Sequence, residues 1–159
     1  MSTHQAKITW QRKTEASFVD QNYSRKHQWI FNEGLTVPAA ASAEVVPEHL
    51  TDGHALDPEE AFVASLASCH MLWFLSIAAD AGYVINRYSD EAEGQMGKNK
   101  EGKLAITNVT LQPSVRFQEN KKPDAKTFES LHHRAHERCY IAHSVKTEIS
   151  INANMDRSS

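Results

Sequence analysis

Residues 57–82, DPEEAFVASLASCHMLWFLSIAADAG, carry the strongest structural signal in the sequence, because they predict one long helix. Asp57 suits the N-cap, Pro58 the first helical position and Glu60 the third, where it completes a capping box. Gly82 is a typical residue just after a helix end, so we expect the helix to run from about residue 57 to residue 81. An apolar stripe at helical spacing contains one of the two cysteines, and its members are Phe62, Leu66, Cys69, Trp73 and Ile77.

Extended segments lie on both sides of this helix. Residues 6–13, 27–32 and 35–39 predict three short strands, and Glu33-Gly34 predicts a tight turn between the last two. Residues 40–57 form a loop. After the helix, residues 88–98 and 104–117 predict a long hairpin around the turn at residues 98–103, with a bulge near Asn108.

The C-terminal part of the chain predicts a second helix and a last strand. Pro123-Asp124 begins the helix, residues 145–151 alternate as a strand, and one apolar face contains the second cysteine: Phe128, Leu131, Ala135, Cys139 and Ala142. The expected element order is β-β-β-α-β-β-α-β. This order predicts an α+β fold with two long helices packed on an antiparallel sheet, in a single domain over residues 1–159.

Composition narrows the class of protein. The chain has 159 residues, of which 40% are hydrophobic and 23% charged, as in an ordinary globular domain. A formal charge of −3 argues against binding to nucleic acid or to an anionic membrane. The polar residues within 61–81 argue against a transmembrane span, and residues 1–13 lack an apolar signal segment, so we expect a cytoplasmic protein.

The two cysteines admit two interpretations in such a compartment. A structural disulfide would not persist there, so Cys69 and Cys139 are either buried core thiols or reactive groups. Cys69 lies about three turns from the helix start, whereas the helix dipole acts only within the first turn. A reactive Cys69 therefore requires a cation delivered from elsewhere in the fold.

The segment from Asp57 to Cys69 resembles the corresponding helix of the OsmC/Ohr hydroperoxide reductases. That helix opens with an Asn-Pro-Glu type start and carries its peroxidatic cysteine ten residues after the glutamate; here the glutamate is Glu59 and the cysteine is Cys69. The second family cysteine lies near the end of the other long helix, where this chain has Cys139, although Tyr140 follows it in place of the frequent proline. The element order agrees over about residues 7–152.

The resemblance implies a thiol-dependent peroxidase acting on organic hydroperoxides, and less well on hydrogen peroxide. Cys69 would become a sulfenic acid that Cys139 resolves as a disulfide. An arginine of the N-terminal strands would bind the thiolate and be held by Glu59. Arg25 is the best match in position, and Arg12 is the substitute.

The resemblance also implies what the protein works with. The expected substrates are small-molecule or lipid hydroperoxides. No cofactor is expected, only an external thiol reductant, either a dithiol or a lipoyl-type protein. The expected assembly is an intertwined homodimer with its sites at the subunit interface.

Two other functions remain open beside the peroxidase. Four residues of the second helix share a face at spacings of 4, 3 and 4, with His70 and His133 as further candidates, and this pattern could bind zinc or copper: His132, His136, Cys139 and His143. A non-catalytic, stress-related ligand-binding protein of the same fold is the other alternative.

Overall fold

The computed structural model describes residues 1–156. The chain divides into two compact units, residues 1–61 and residues 62 onward, and each is described by itself. The long helix α1, Pro58–Asp80, begins in the first unit and continues through the second. The prediction of a single domain over residues 1–159 stays a prediction.

The first unit is built on a small antiparallel sheet. Its strands are β1 (Lys7–Thr9), β2 (His27–Ile30) and β3 (Thr36–Ala39), in the order β1-β2-β3. The tight turn between β2 and β3 is confirmed, and both Glu33 and Gly34 have positive φ values, 57° and 83°. The N–H of Phe31 donates to the carbonyl of Leu35 at 2.8 Å, so the hairpin loop has three residues, 32–34.

The first strand is shorter than the predicted 6–13. Beyond Thr9 the chain bonds to its own loops: the indole of Trp10 donates to the carbonyl of Ser24 at 2.8 Å. The guanidinium of Arg12 donates to the carbonyls of Thr14 and Ala16 at 3.0 and 2.6 Å. These local bonds replace the strand pairing that the sequence pattern suggests.

Helix α1 has the predicted capping box. Asp57 Oδ1 accepts from the backbone N–H of Glu60 at 2.7 Å, and Glu60 Oε2 accepts from the N–H of Asp57 at 3.2 Å. Each bond satisfies a donor that the helix start would otherwise leave unpaired. Gly82 follows the helix with a φ of 83°, the left-handed conformation that glycine adopts without a Cβ clash.

The buried face of α1 is rotated relative to the predicted stripe. Cys69 and Trp73 are only half-buried, and the fully buried positions, again at helical spacing, are Leu66, His70, Phe74, Ile77 and Ala78. The prediction missed this face because it treated His70 as a polar residue. The histidine is 1% exposed, so it belongs to the core.

Within residues 1–156, α1 is also the one helix that is long and apolar enough to cross a membrane by length and composition, with a mean hydropathy of 1.7. The expectation that its polar residues exclude a span is therefore too strict on composition alone. The core helix of a soluble protein passes the same test. In this chain the helix packs into two hydrophobic clusters, one around Phe74 and one around Leu66.

The predicted long hairpin is present in the second unit, but both of its arms are interrupted. The strands are β4 (Ile85–Asp90), β5 (Glu93–Lys98), β6 (Leu104–Leu111) and β7 (Pro113–Phe117). Strands β5 and β6 pair next to the turn, and β4 and β7 pair farther out. At the break, the N–H of Gln112 donates to Asp90 Oδ1 at 2.7 Å instead of joining the ladder.

The bulge predicted near Asn108 is confirmed. Gln95 pairs with Asn108, whereas the next residue, Met96, pairs with Ile106, so Thr107 is the extra residue. An unpaired residue of this kind bends and twists the strand that carries it.

The expectation of an antiparallel sheet is wrong for the C-terminal strands. β8 (Glu148–Ile151) pairs with β6, β9 (Asn154–Met155) pairs with β7, and both pairings are parallel. The physical reason is the helical crossover that separates β8 and β9 from their partners, since a chain that crosses over through a helix returns in the same direction. The strand β9 was not predicted, and β8 is shorter than residues 145–151.

The second helix, α2, runs from Ala125 to Arg138. Its predicted start is confirmed, because Asp124 Oδ1 accepts from the N–H of Thr127 at 2.7 Å. The predicted continuation through residue 142 is wrong. Cys139 leaves the helix with φ −70° and ψ 107°, and a separate short helix, α3 (Tyr140–His143), follows it.

Candidate functional site

The two cysteines meet in the second unit. Cys69 lies on α1, at the edge of its buried face, and Cys139 lies at the junction of α2 and α3 with 1% of its surface exposed. Both thiols are free. A hydrogen bond joins the two side chains, so residues that are 70 positions apart in the sequence contact each other directly.

Cys139 is held in its protonated form. Burial, and then the hydrogen bond with Cys69, raise the pKa of Cys139 to about 11. Burial penalises the charged thiolate, and the bond to the neighbouring thiol favours the protonated form. Cys139 therefore keeps its proton at neutral pH.

Cys139 also contacts the backbone at the start of α3. Its Sγ accepts from the N–H of Ala142 at 3.4 Å and so caps this short helix. Cys139 itself has extended backbone angles, with φ −70° and ψ 107°. A disulfide needs the two sulfurs at about 2.05 Å, which is a short movement from hydrogen-bonding contact.

The predicted cation Arg25 belongs to the first unit, where its own loop holds it. One of its terminal nitrogens, Nη1, donates to the carbonyls of Gln21, at 2.7 Å, and of Tyr23. The other, Nη2, donates to Gln21 Oε1 at 3.1 Å, and the guanidinium carbon lies 3.7 Å from the centroid of the Tyr23 ring. Three hydrogen bonds leave part of its five-donor capacity for another partner.

Glu59 also belongs to the first unit and is half-buried. The capping box uses Glu60, as predicted, and so leaves the Glu59 carboxylate outside it. Among the described residues of the first unit, no ion pair joins Glu59 to Arg25. The structure thus brings the two cysteines together, whereas no ion pair forms among residues 1–61 between Arg25 and Glu59, the residues expected to activate Cys69.

The prediction from sequence missed a candidate cation within the second unit, Arg138. Arg138 immediately precedes Cys139, and its guanidinium carbon lies 5.6 Å from the centroid of the Trp73 ring. Trp73 lies one turn after Cys69 on α1, and the Tyr140 ring packs edge to face against the Trp73 ring, with the centroids 5.6 Å apart. The signal was available in the sequence as an arginine adjacent to the second cysteine.

The prediction also missed a pair of buried histidines. His70 Nε2 and His132 Nδ1 lie 3.0 Å apart, which joins α1 to α2 a second time. The signal for it was the spacing of His70 with Leu66 and Phe74, which places the histidine on the buried face.

In the structure, most of the side chains considered as metal ligands make other bonds. His132 bonds to His70, Cys139 bonds to Cys69, and the ring of His143 donates to the carbonyl of Glu137 at 2.6 Å. Within residues 1–156, no group of three His, Cys, Asp or Glu side chains is placed to hold a metal ion. The four candidate ligands do not share one helical face, because α2 ends at Arg138, before Cys139 and His143.

Comparison with known proteins agrees with this arrangement. Residues 51–154, more than half of the chain, match the family model described as OsmC-like protein. No curated protein matches the chain significantly. An OsmC-like protein of unknown function from Vibrio cholerae is 49% identical, with a TM-score of 0.95 over 97% of this chain and 100% of that one.

More distant solved structures share the fold. An organic hydroperoxide resistance protein from Elizabethkingia anophelis is 14% identical, with a TM-score of 0.70 over 99% of this chain and 98% of that one. One from Legionella pneumophila is 16% identical, with a TM-score of 0.66 over 98% of each chain. From the family match and the identity to the Vibrio protein, we conclude that this chain belongs to the OsmC-like protein family.

Proposed function

We propose that the protein is a thiol-dependent peroxidase that reduces organic hydroperoxides through Cys69 and Cys139. The observation that carries the proposal is the hydrogen bond between the two free thiols of Cys69 and Cys139. A pair of cysteines kept only for packing has no need of this contact. The family membership and the names of the Elizabethkingia and Legionella relatives support the same reaction.

The reaction has three steps. The thiolate of Cys69 attacks the distal oxygen of the hydroperoxide; the O–O bond breaks, an alkoxide leaves and takes up a proton as the alcohol, and Cys69 becomes a sulfenic acid. Cys139 then attacks the sulfenic sulfur, forming the disulfide and releasing water. An external dithiol reduces the disulfide by exchange and restores both thiols.

The first step needs a positive charge where the alkoxide develops. Our proposal gives this role to Arg25, with Glu59 to orient it, and keeps Arg12 as the substitute. Arg138 is a second candidate, since its side chain lies over Trp73 one turn from Cys69. A guanidinium would stabilise both the thiolate and the leaving oxygen.

The surroundings of Cys69 favour an apolar substrate. On α1, Phe62 lies about two turns before Cys69 and Trp73 about one turn after it. Tyr140, which is 69% exposed, packs on the indole of Trp73. Apolar walls of this kind favour an organic or lipid hydroperoxide over hydrogen peroxide.

We also propose a homodimer that works in the cytoplasm with a dithiol or a lipoyl-type protein as reductant. Helix α1 supports the dimer, because an apolar helix would normally be covered, yet Leu72 at its centre is 61% exposed. Light scattering during gel filtration measures the mass; a monomer at micromolar concentration would contradict the dimer.

Thiol titration tests the reaction itself. The reduced protein receives one equivalent of tert-butyl hydroperoxide, and a matched sample receives tert-butanol. We expect the hydroperoxide to remove both titratable thiols, a dithiol to restore them, and the alcohol to remove none. A protein that keeps both thiols after exposure is a non-catalytic member of the family, and the proposal fails.

A further inference from the structure

Arg138 is an exposed cation at the end of α2. Its guanidinium carbon lies 5.6 Å from the centroid of the Trp73 ring, and among residues 1–156 the guanidinium makes no hydrogen bond or ion pair. The carboxylate next to it in the chain does not neutralise it, because Glu137 Oε1 lies 3.4 Å from His133 Nε2. The N–H donors of Arg138 are therefore open to an anion from solution.

Two connections place this cation near the cysteines. Trp73 is one turn after Cys69 on α1, so the two side chains are on the same helix face with their Cβ atoms about 5–6 Å apart. Arg138 also directly precedes Cys139, whose thiol is hydrogen-bonded to Cys69. The guanidinium is thus on the order of 10 Å from Cys69.

An aromatic surface accompanies the cation. The rings of Trp73 and Tyr140 pack edge to face with their centroids 5.6 Å apart, and Tyr140 is 69% exposed. The Trp73 ring therefore contacts a cation and an exposed phenol, one turn from Cys69 on α1. An apolar chain can lie on such rings while a polar group at its end bonds to the guanidinium.

Ligands from solution reach Cys69 rather than Cys139. Cys69 is half-buried, whereas Cys139 is 1% exposed. The rate at which a thiol reacts depends on access to its sulfur. In the proposed reaction, the hydroperoxide and the thiol reductant therefore both react at the Cys69 sulfur, and both have Trp73 and Arg138 beside them.

The separation of Arg138 from Cys69 sets where the charge of a ligand must be. At that distance on an exposed surface, salt largely screens the guanidinium from the sulfur itself, so its main effect is on the far end of a ligand. An extended chain advances roughly 1.2 Å per bond, so the span corresponds to about eight bonds. A carboxylate at that position can bond to both arms of the guanidinium.

We propose that Arg138 is a specificity-determining residue, which favours ligands of Cys69 that carry a carboxylate about eight bonds from the sulfur. Two ligands of the proposed reaction can have this chemistry: a hydroperoxide of an aliphatic acid, and a dithiol reductant of the lipoate type. The inference rests on the proposed function, because both ligands react at Cys69.

This role differs from activation of the thiolate, for which Arg138 is the second candidate. An activating cation changes the rates of charged and neutral ligands by the same factor. A residue that bonds to the carboxylate changes the ratio of the two rates. The test therefore uses pairs of ligands that differ only in that charge.

The reductant arm compares dihydrolipoate with dihydrolipoamide, in which a neutral amide replaces the carboxylate. The disulfide is prepared with diamide, so this arm does not require peroxidase activity, and its loss is followed by mass analysis. Arg138→Gln removes the charge and Arg138→Lys keeps it. Arg134→Gln is the matched control, because it removes an exposed arginine one turn earlier on α2.

The hydroperoxide arm compares 5-hydroperoxypentanoate with its methyl ester. When the Cys69 sulfur attacks the distal oxygen, the carboxylate of this acid is about eight bonds away. The reduced protein and the same three variants are mixed with each compound, and the loss of titratable thiol is followed with time. Far-UV circular dichroism checks that each variant is folded.

In wild type we expect the charged member of at least one pair to react about fivefold faster than its neutral partner at low salt. Added salt should reduce this ratio. Arg138→Gln should bring it to about one, Arg138→Lys should keep part of it, and Arg134→Gln should leave it unchanged. The arm that shows the preference identifies the ligand.

A ratio near one in both arms for wild type would overturn the inference and leave the peroxidase intact. A ratio that folded Arg138→Gln retains would do the same, and so would equal slowing of both members of a pair, which would assign Arg138 to thiolate activation. If neither hydroperoxide oxidises the wild-type thiols, the proposed function fails instead, and the diamide-oxidised protein still measures the charge preference.

Discussion

Two side-chain pairs join helices α1 and α2 of the second unit, and they differ in what they leave unpaired. In the cysteine pair, one thiol donates to the other, and Cys139 also accepts from the backbone N–H of Ala142. In the histidine pair, the central bond is made, but both outer nitrogens are buried and have no partner among residues 1–156. One pair is satisfied at rest, and the other carries an unpaired donor and acceptor.

The difference lies in what each pair can do chemically. In the proposed reaction the two cysteines form a disulfide, and their resting contact is already close to that product. The histidine pair lies in the core, and its buried outer nitrogens cost stability. Burial acts on both pairs, but it holds a proton on Cys139 and keeps protons off the histidines.

The largest expected effect comes from Cys69, the proposed nucleophile. Cys69→Ser should abolish peroxide consumption, by a thousandfold or more in order of magnitude, because a serine hydroxyl cannot replace the thiolate nucleophile. The measurement is loss of tert-butyl hydroperoxide in the presence of excess dithiothreitol. Turnover at more than a small fraction of the wild-type rate would remove the proposed mechanism.

Replacement of Cys139, the proposed resolving cysteine, should affect only the later step. In Cys139→Ser, Cys69 should still be oxidised at the wild-type rate, but it should accumulate as sulfenic and then sulfinic acid. Serine is the right replacement because its oxygen can still accept from the N–H of Ala142 and keep the cap of α3. Mass spectra after peroxide exposure give the result, and an unmodified Cys69 would contradict the assignment of roles.

The histidine pair should be visible in the pH dependence of stability. Burial lowers the pKa of His70 to about 4 and of His132 to about 3, from 6.5. Below pH 6.5 the unfolded chain therefore binds protons that the folded chain excludes. Stability is complete above pH 6.5 and falls as the pH drops, by up to ~1.4 kcal/mol per pH unit for each histidine.

Urea unfolding at pH 7, 6 and 5 measures this slope. The double variant His70→Gln/His132→Asn should flatten it, whereas His133→Gln should retain it. Burial raises the pKa of Asp90, which acts in the opposite sense but equally in every variant. An unchanged slope in the double variant would show that the buried pair is not the source.

The smallest expected effect distinguishes the candidate cations. Removal of the activating guanidinium should slow alkylation of Cys69 by iodoacetamide at pH 7, on the order of tenfold, because fewer thiolates are present. Arg25→Ala is expected to show this effect, and Arg12→Ala is measured beside it because Arg12 is the substitute cation. If Arg138→Ala slows alkylation and Arg25→Ala does not, the cation comes from beside Cys139.

Local signals in the sequence predicted much of the fold. The capping box of Asp57 and Glu60, the turn at Glu33-Gly34 and the bulge beside Asn108 are each set by side chains only a few residues apart. The parallel pairing of β8 and β9 and the end of α2 at Arg138 were not predicted. Those features depend on contacts between residues that are far apart in the sequence.

For the site, the sequence by itself identified Cys69 and Cys139 as the residues with chemistry, through their types and their places on two helices. Only the tertiary structure decided that the two thiols share a hydrogen bond. It also decided that Arg25 bonds to its own loop and not to Glu59. The place of His70 in the core, in contact with His132, was likewise decided only there. The physical reason is that helical spacing fixes which residues share a face of one helix. The packing of the whole unit determines which face of one helix contacts which face of another.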